Sequence, residues 1–436
     1  MTGRGLILAA PASGSGKTTV TLGLLRALRR AGHAVRGAKS GPDYIDPRFH
    51  EAACGAPSPN LDAWAMTPDR IAALAAGDGL LLIEGAMGLF DGAPPTGRGA
   101  TADLARQLDL PVVLVVDAGR MAQSVAPLVA GFSGHDPAVR VAGVILNRVG
   151  SDRHAAMLRA SLERIGMPVL GAIPRAEALS LPSRHLGLVQ AGEHPDIRRF
   201  LDAAADRMAD AVDLDALAAL ARPLPAAPPV FPGTAPARIA IARDAAFSFT
   251  YPHQIDDWTR AGSRIDWFSP LADQAVPPAD LVYLPGGYPE LHAGRIAAAS
   301  TFLGSLRAAA ERTAIYGECG GYMVLGETLT DADGVTHPMA NLLDLRTSFA
   351  RRKLSLGYRT LDCAAAAGPW QGRLSAHEFH YATTERAEGT PLFRARDTEG
   401  RDLGPMGLRR GHVSGSFAHV IDEASIAAAD GDDHLS

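Results

Sequence analysis

Short runs of Val, Ile and Leu alternate with stretches of helical period through the first half of the chain. Unbroken apolar runs bounded by turn residues predict strands buried on both faces, over 5–10, 35–39, 80–84, 112–117, 141–147 and 169–174. Helical patterns over 16–31, 68–76, 101–108, 121–132 and 152–165 fall between them, and the Ala/Leu-rich stretch 195–220 predicts one more helix. Strand and helix in alternation predict a mainly parallel, doubly wound sheet. From 222 to 238 the pattern stops. Prolines at 223, 225, 228, 229, 232 and 236, with few charges between them, exclude regular structure and predict an extended linker. Apolar runs then resume over 238–242, 281–284 and 314–316, with a helix over 296–310. The expected fold is therefore α/β with two domains, 1–222 and 238–436, joined by a Pro-rich linker at 223–237.

Composition narrows the function classes. Against 42 basic residues stand 47 acidic ones, with no basic block, so charge gives no support to a nucleic-acid partner. Three cysteines, at 54, 319 and 363, form neither a disulfide framework nor CxxC pairs and point to a reducing, cytoplasmic setting. No run of about 18 uncharged apolar residues predicts a membrane span, and the apolar stretch near the start reads as a buried strand.

Chemistry concentrates in four places. The first is the loop Pro11-Ala12-Ser13-Gly14-Ser15-Gly16-Lys17-Thr18-Thr19, between a strand and a helix. Its small residues let backbone N–H groups surround a phosphate, Lys17 reaches the β/γ-phosphates and the Thr18 hydroxyl suits Mg²⁺. Pro11 stands where the strict pattern has Gly, which makes this a deviant phosphate loop. The second is Glu84, at the carboxyl end of an apolar strand, where an acid projects into the ligand crevice of such a sheet. The third is Gly41-Pro42-Asp43-Tyr44-Ile45-Asp46-Pro47, a Pro-braced loop in which Asp43 could complete metal coordination and Asp46 could orient a substrate group; an ordinary Pro/Asp turn is the competing reading. The fourth is Gly317-Glu318-Cys319-Gly320-Gly321-Tyr322-Met323, the pattern of a nucleophile elbow, expected to have its thiol activated by a helix N-terminus. Leu284-Pro285-Gly286-Gly287 offers oxyanion-hole N–H groups and the segment Gly411–His419 offers a histidine base. His377 and His380 are spaced i, i+3, not the i, i+4 of HExxH, so zinc is rejected and the segment is read as a structured or substrate-facing strand and loop.

In this order and spacing, the Gly-Lys-Thr-Thr loop, the 41–47 loop, Glu84-Gly85-Ala86-Met87-Gly88-Leu89-Phe90-Asp91-Gly92, the Cys319 elbow and Gly415-Ser416-Phe417-Ala418-His419 resemble the cobyrinic/hydrogenobyrinic acid a,c-diamide synthase family of cobalamin biosynthesis, over essentially the whole chain. The 41–47 loop is the most specific piece. The first half is similar to dethiobiotin synthetase and the second to class I glutamine amidotransferases. The resemblance implies a P-loop NTPase-like parallel sheet followed by a flavodoxin-like mixed sheet. It implies ATP- and Mg²⁺-dependent amidation of two ring carboxylates with ammonia released from glutamine. The implied partners are glutamine and a corrin-type polycarboxylate macrocycle, cobalt-containing or metal-free, with a slight lean to metal-free. A homodimer stays among the open assembly states.

By the same resemblance Cys319 is the nucleophile and His419 its base, with Gly287 and Gly320 near the oxyanion hole. Ser13 to Thr19 (Ser13, Gly14, Ser15, Gly16, Lys17, Thr18, Thr19) bind phosphates, and Thr18, Asp43 and Glu84 are the metal ligands. Tyr44 and Asp46 belong to the substrate loop, Asp46 facing the reacting carboxylate, and Asn147 reads adenine. Class I amidotransferases carry Glu two residues after the histidine. This chain has Ile421 there, so no third member of the Cys-His site is assigned. The competing readings are a cobyric acid synthase-like ligase, a partitioning-type P-loop ATPase with an interaction module, and a cysteine hydrolase with a vestigial nucleotide domain.

Overall fold

The computed structural model describes residues 3–175, 183–184, 187–188, 196–226 and 235–424. The chain divides into two compact units, Met1–Val230 and Phe231–Ser436.

In the first unit, strands β1 (Arg4–Ala9), β2 (Val35–Ser40), β3 (Asn60–Leu61), β4 (Leu80–Glu84), β5 (Val112–Asp117), β6 (Val141–Val149) and β7 (Val169–Pro174) form one parallel sheet in the order β3-β2-β4-β1-β5-β6-β7. Helices α1 (Lys17–Arg30), α2 (Asp46–Cys54), α3 (Pro68–Ala75), α4 (Thr101–Leu108), α5 (Val125–Gly134), α6 (Asp152–Glu163), α7 (Ile197–Ala211) and α8 (Leu214–Leu220) belong to the same unit. Strand β1 lies between β4 and β5 and is buried from Gly5 to Ala9, which explains its unbroken apolar run. Its carboxyl end delivers the phosphate loop to the middle of the sheet. β8 (Ser183–Arg184) and β9 (Gly187–Leu188) form a separate two-residue antiparallel pair.

Two sequence expectations change here. The single helix over 195–220 is two helices. Val212 leaves helical geometry (φ −125°), and Asp213 caps α8 by accepting the Ala216 N–H at 2.9 Å. A capping aspartate competes with helix continuation, and Val212 gains a bridge to Gly171 of β7. The proline-rich stretch also starts in regular structure: β10 (Arg222–Pro223) pairs antiparallel with β1 at Gly5 and Arg4. Proline is tolerated because the next N–H, of Leu224, makes the bond to Gly3 O at 2.9 Å. Residues 227–234 of the expected linker lie outside the described residues.

The second unit is built on a ten-stranded mixed sheet. A parallel part, β12 (Arg264–Phe268), β11 (Arg238–Ala242), β13 (Leu281–Leu284), β14 (Ala314–Glu318) and β23 (Val413–Ser416), continues into antiparallel β22 (Asp402–Arg410), β21 (Thr390–Arg396), β18 (Ser355–Ala367), β19 (Trp370–His380) and β24 (Ala418–Glu423). A smaller sheet holds β15 (Thr328–Thr330), β16 (Thr336–Pro338), β17 (Asp344–Ser348) and β20 (Thr383–Glu388). The helices are α9 (Pro252–Arg260), α10 (Ala293–Ala298), α11 (Ser300–Ala309) and α12 (Gly320–Leu325). One buried apolar cluster joins Val282, Leu284 and Ile315 to Phe302, Met323 and Leu325, so the elbow sits on a packed floor. Among the described residues no helix is long and apolar enough to cross a membrane.

Candidate active site

The first centre forms at the carboxyl ends of β1, β2 and β4. Gly14 and Gly16 both take φ +82°, and Gly16 closes the loop at the start of α1. The left-handed φ favours glycine at 16, and a Cβ there would come within 2.3 Å of the Asn147 side-chain amide nitrogen and displace it. That nitrogen, from β6, donates to Ser15 O at 2.9 Å. Asn147 therefore braces the phosphate loop. Beside it, Asp117, Gly119, Arg120, Arg148 and Arg175 line a cavity of ≈ 620 Å³.

Lys17 folds onto Met87 O at 2.7 Å. Burial and the neighbouring Lys39 ammonium pull its pKa down to about 8, against the pull of Glu84 and Asp46. Thr18 Oγ1 donates to Glu84 Oε1 at 2.6 Å. Glu84 is fully buried, and its two oxygens are held by Lys39 Nζ at 2.9 Å and His50 Nε2 at 2.7 Å. Burial alone would raise the Glu84 pKa; Lys39 and His50 outweigh it and hold the carboxyl well below its usual range.

The 41–47 segment is only partly the rigid loop that its prolines suggest. Helix α2 starts at Asp46, with Pro47 in its first turn where no N–H is needed. Asp43 Oδ1 accepts the N–H groups of Ile45 and Asp46 at 2.7 and 3.1 Å, ordering the entry to that helix. Tyr44 is buried at 9% exposure. Asp46 is buried and takes Lys39 Nζ at 2.5 Å. Burial and Asp43 push its pKa up to about 7, with Lys39 opposing. Lys39 and His50 are the residues that motif reading missed. A lysine closing an apolar strand and a histidine one turn after Asp46 were the available signals.

The second centre forms where β14 turns into α12. Cys319 sits at φ +46°, ψ −101°, a strained conformation for a residue with a Cβ. Its N–H donates to Ser416 O at 2.8 Å, tying the elbow to β23. A Cβ on Gly321 would reach 1.9 Å from Leu284 O, so only glycine permits the turn to pack against β13. A Cβ on Gly287 would lie 2.2 Å from Ala246 O, and one on Gly320 would lie 3.2 Å from Gly287 N. Gly287 and Gly320 are thus neighbours. His419, on β24, is buried, and its ring covers Gly286, whose added Cβ would lie 2.3 Å from His419 Cε1. The Gly286-Gly287 turn thus lies between His419 and Gly320, the residue that follows Cys319.

The expected activation of the thiol by the helix N-terminus is overturned. Burial, with 2% exposure, and then Glu290 push the Cys319 thiol well above its usual range, and the Gly320 N–H offsets only part of this. Helix α12 has only 6 residues, too short a dipole to dominate. His377 and His380 both lie on β19: His380 bonds Glu378 Oε1 at 3.0 Å and stacks on Phe417 at 4.0 Å between ring centroids, while His377 pairs in register with His419.

Comparison with known proteins follows the same division. Residues 6–189 match the CobQ/CobB/MinD/ParA nucleotide-binding domain, and residues 238–425 match the CobB/CobQ-like glutamine amidotransferase domain. A hydrogenobyrinate a,c-diamide synthase of Brucella anthropi is 58% identical over 436 residues, covering 96% of this chain and 98% of the relative. The chain belongs to the hydrogenobyrinate a,c-diamide synthase family. A second member, from Brucella abortus biovar 1, is 56% identical over 98% of this chain and 100% of its own length. One from Rhodobacter capsulatus is 55% identical over 96% of this chain and 98% of its own. A nucleotide-binding parallel α/β sheet and a glutamine amidotransferase mixed sheet are thus joined in one ligase chain.

Proposed function

We propose that this protein converts the a and c side-chain carboxylates of hydrogenobyrinic acid, the metal-free macrocycle, into amides with ATP and glutamine. The single observation that carries this reading is the presence of two built centres in one chain, a phosphate loop against a buried acid and a strained cysteine elbow, in a chain similar over its whole length to synthases of that name. A carboxylate is a poor electrophile, and the first centre addresses that. A carboxylate oxygen attacks the γ-phosphorus of ATP, ADP leaves, and the acyl phosphate so formed is attacked by ammonia with loss of phosphate. Lys17 and the loop N–H groups hold the phosphates. Asp46 faces the reacting carboxylate, its pKa pushed up to about 7 by burial and Asp43, while the Lys39 ammonium beside it keeps its proton and supplies positive charge. Asn147 and the adjoining cavity receive the base.

Thr18 Oγ1 and Glu84 Oε1, converging within 2.6 Å, are hard oxygen donors of the kind Mg²⁺ takes together with phosphate and water, whereas Asp43 Oδ1 is engaged by the N–H groups of Ile45 and Asp46. A bound Mg²⁺ would neutralise charge on the transferring phosphate.

In the second centre Cys319 Sγ attacks the side-chain amide carbon of glutamine while its proton passes to His419. Ammonia leaves with a proton returned by His419, and water hydrolyses the thioester to glutamate and thiol. N–H groups near Gly287 and Gly320 receive the oxyanion. We place the reaction in the cytoplasm, where free thiols persist. Replacing Cys319 by Ala should abolish glutamine-supported amidation and spare ammonia-supported amidation; replacing Lys17 by Ala should abolish both. Loss of the ammonia-supported reaction in folded Cys319→Ala would refute the two-centre reading.

A further inference from the structure

Position 421, where class I amidotransferases carry the acid that orients the histidine, holds buried Ile421. The carboxylate beside His419 comes instead from the residue just before the nucleophile. Glu318 closes β14, is 1% exposed, and places Oε2 3.5 Å from His419 Nδ1. Two donors fix the same carboxylate: Tyr283 Oη on Oε2 at 2.8 Å, from β13, and the Val420 N–H on Oε1 at 3.2 Å, from β24. The acid is thus held by the strands that flank the elbow and the histidine. The sharp turn at Cys319 separates the two adjacent side chains, so one strand end supplies both nucleophile and acid.

We propose that Glu318 is the third member of the Cys-His site, a positioning residue that keeps the His419 proton on Nδ1. This rests on the glutaminase reading above. With Nδ1–H directed at Glu318, the Nε2 lone pair, on the side of Gly286, accepts the thiol proton: the Sγ–H bond breaks, the Nε2–H bond forms, and the sulfur pair attacks glutamine. Glu318 keeps no proton; it stabilises the imidazolium until that proton passes to the departing ammonia. A separation of 3.5 Å is a loose ion-pair contact, as is common before substrate binds.

Glu318→Gln tests the assignment at constant size. The amide can donate to Nδ1 and so impose the opposite tautomer. Glutamine-supported kcat should fall by about 100-fold or more, with KM for glutamine within about threefold and ammonia-supported amidation unchanged. Glu318→Asp should recover part of the loss. Imidazole nitrogen NMR of the full-length wild-type protein, with His419 assigned by His419→Gln, should show protonation at Nδ1. Protonation at Nε2 in wild type, or undiminished kcat in Glu318→Gln, overturns the proposal even if another variant fails to fold. A wild-type protein with the Nδ1 tautomer but no glutamine-supported amidation would instead sink the proposed function and leave the Glu318–His419 pair standing.

Discussion

Lys39 shows how much one side chain can hold. Its ammonium sits between Asp46 and Glu84, all three buried, and so prevents two carboxylates from facing each other without a counter-charge. Removing one partner of such a network leaves uncompensated buried charge, so Lys39→Met should cost about 3–5 kcal/mol in urea unfolding. Lys17 behaves differently. Its folded-state pKa, about 8, lies below the ordinary lysine value of 10.5, so the native state binds fewer protons than the unfolded chain between these limits. Burying the charged amine is a penalty present below pH 8, relieved as pH rises through the folded value; this residue's contribution makes stability increase with pH over that window. Phosphate favours the charged form. ATP binding at about pH 8.5 should therefore take up protons, seen as a buffer-dependent calorimetric heat, and Lys17→Met should abolish that dependence.

At the scale of elements, the phosphate loop depends on how α1 packs. A Cβ on Gly23 would lie 2.6 Å from Met208 Cγ and 2.8 Å from Ala204 O, so α1 and α7 meet through a glycine. Gly23→Ala should force the helices apart and cost about 1–3 kcal/mol, with a lowered Tm. The Arg30–Asp206 pair on the same seam is largely solvated, and removing it should change Tm little. Parallel strands were readable because burial on both faces writes a continuous apolar run, as in β4 and β5. Helix α2 was not readable: nine residues beginning with Asp-Pro look like a turn until the Asp43 cap is seen. The long β18–β19 hairpin was equally hidden, because its strands face different surroundings along their length and lose a simple period.

For the whole molecule, motif spacing made the cysteine elbow and the strand-loop-helix of the Gly16-Lys17 segment legible, since each needs glycines where backbone packs closely. Lys39, His50 and Glu318 escaped, because their partners lie far along the chain and are brought to them only by the sheet order and by helix α2. The same burial that positions Cys319 pushes its thiol upward, so attack on glutamine needs a base beside it, and we propose that this site turns over slowly until the other is filled. Glutaminase turnover should accordingly rise when ATP and the macrocycle are both supplied; an undiminished rate without them would count against such coupling. The most direct test of the central claim counts amides by mass. Wild-type protein given ATP, Mg²⁺, glutamine and hydrogenobyrinic acid should add two amides per ring, and Cys319→Ala should add two with ammonia and none with glutamine. A folded Cys319→Ala protein that still uses glutamine, or a wild type that leaves the ring carboxylates untouched, would contradict it.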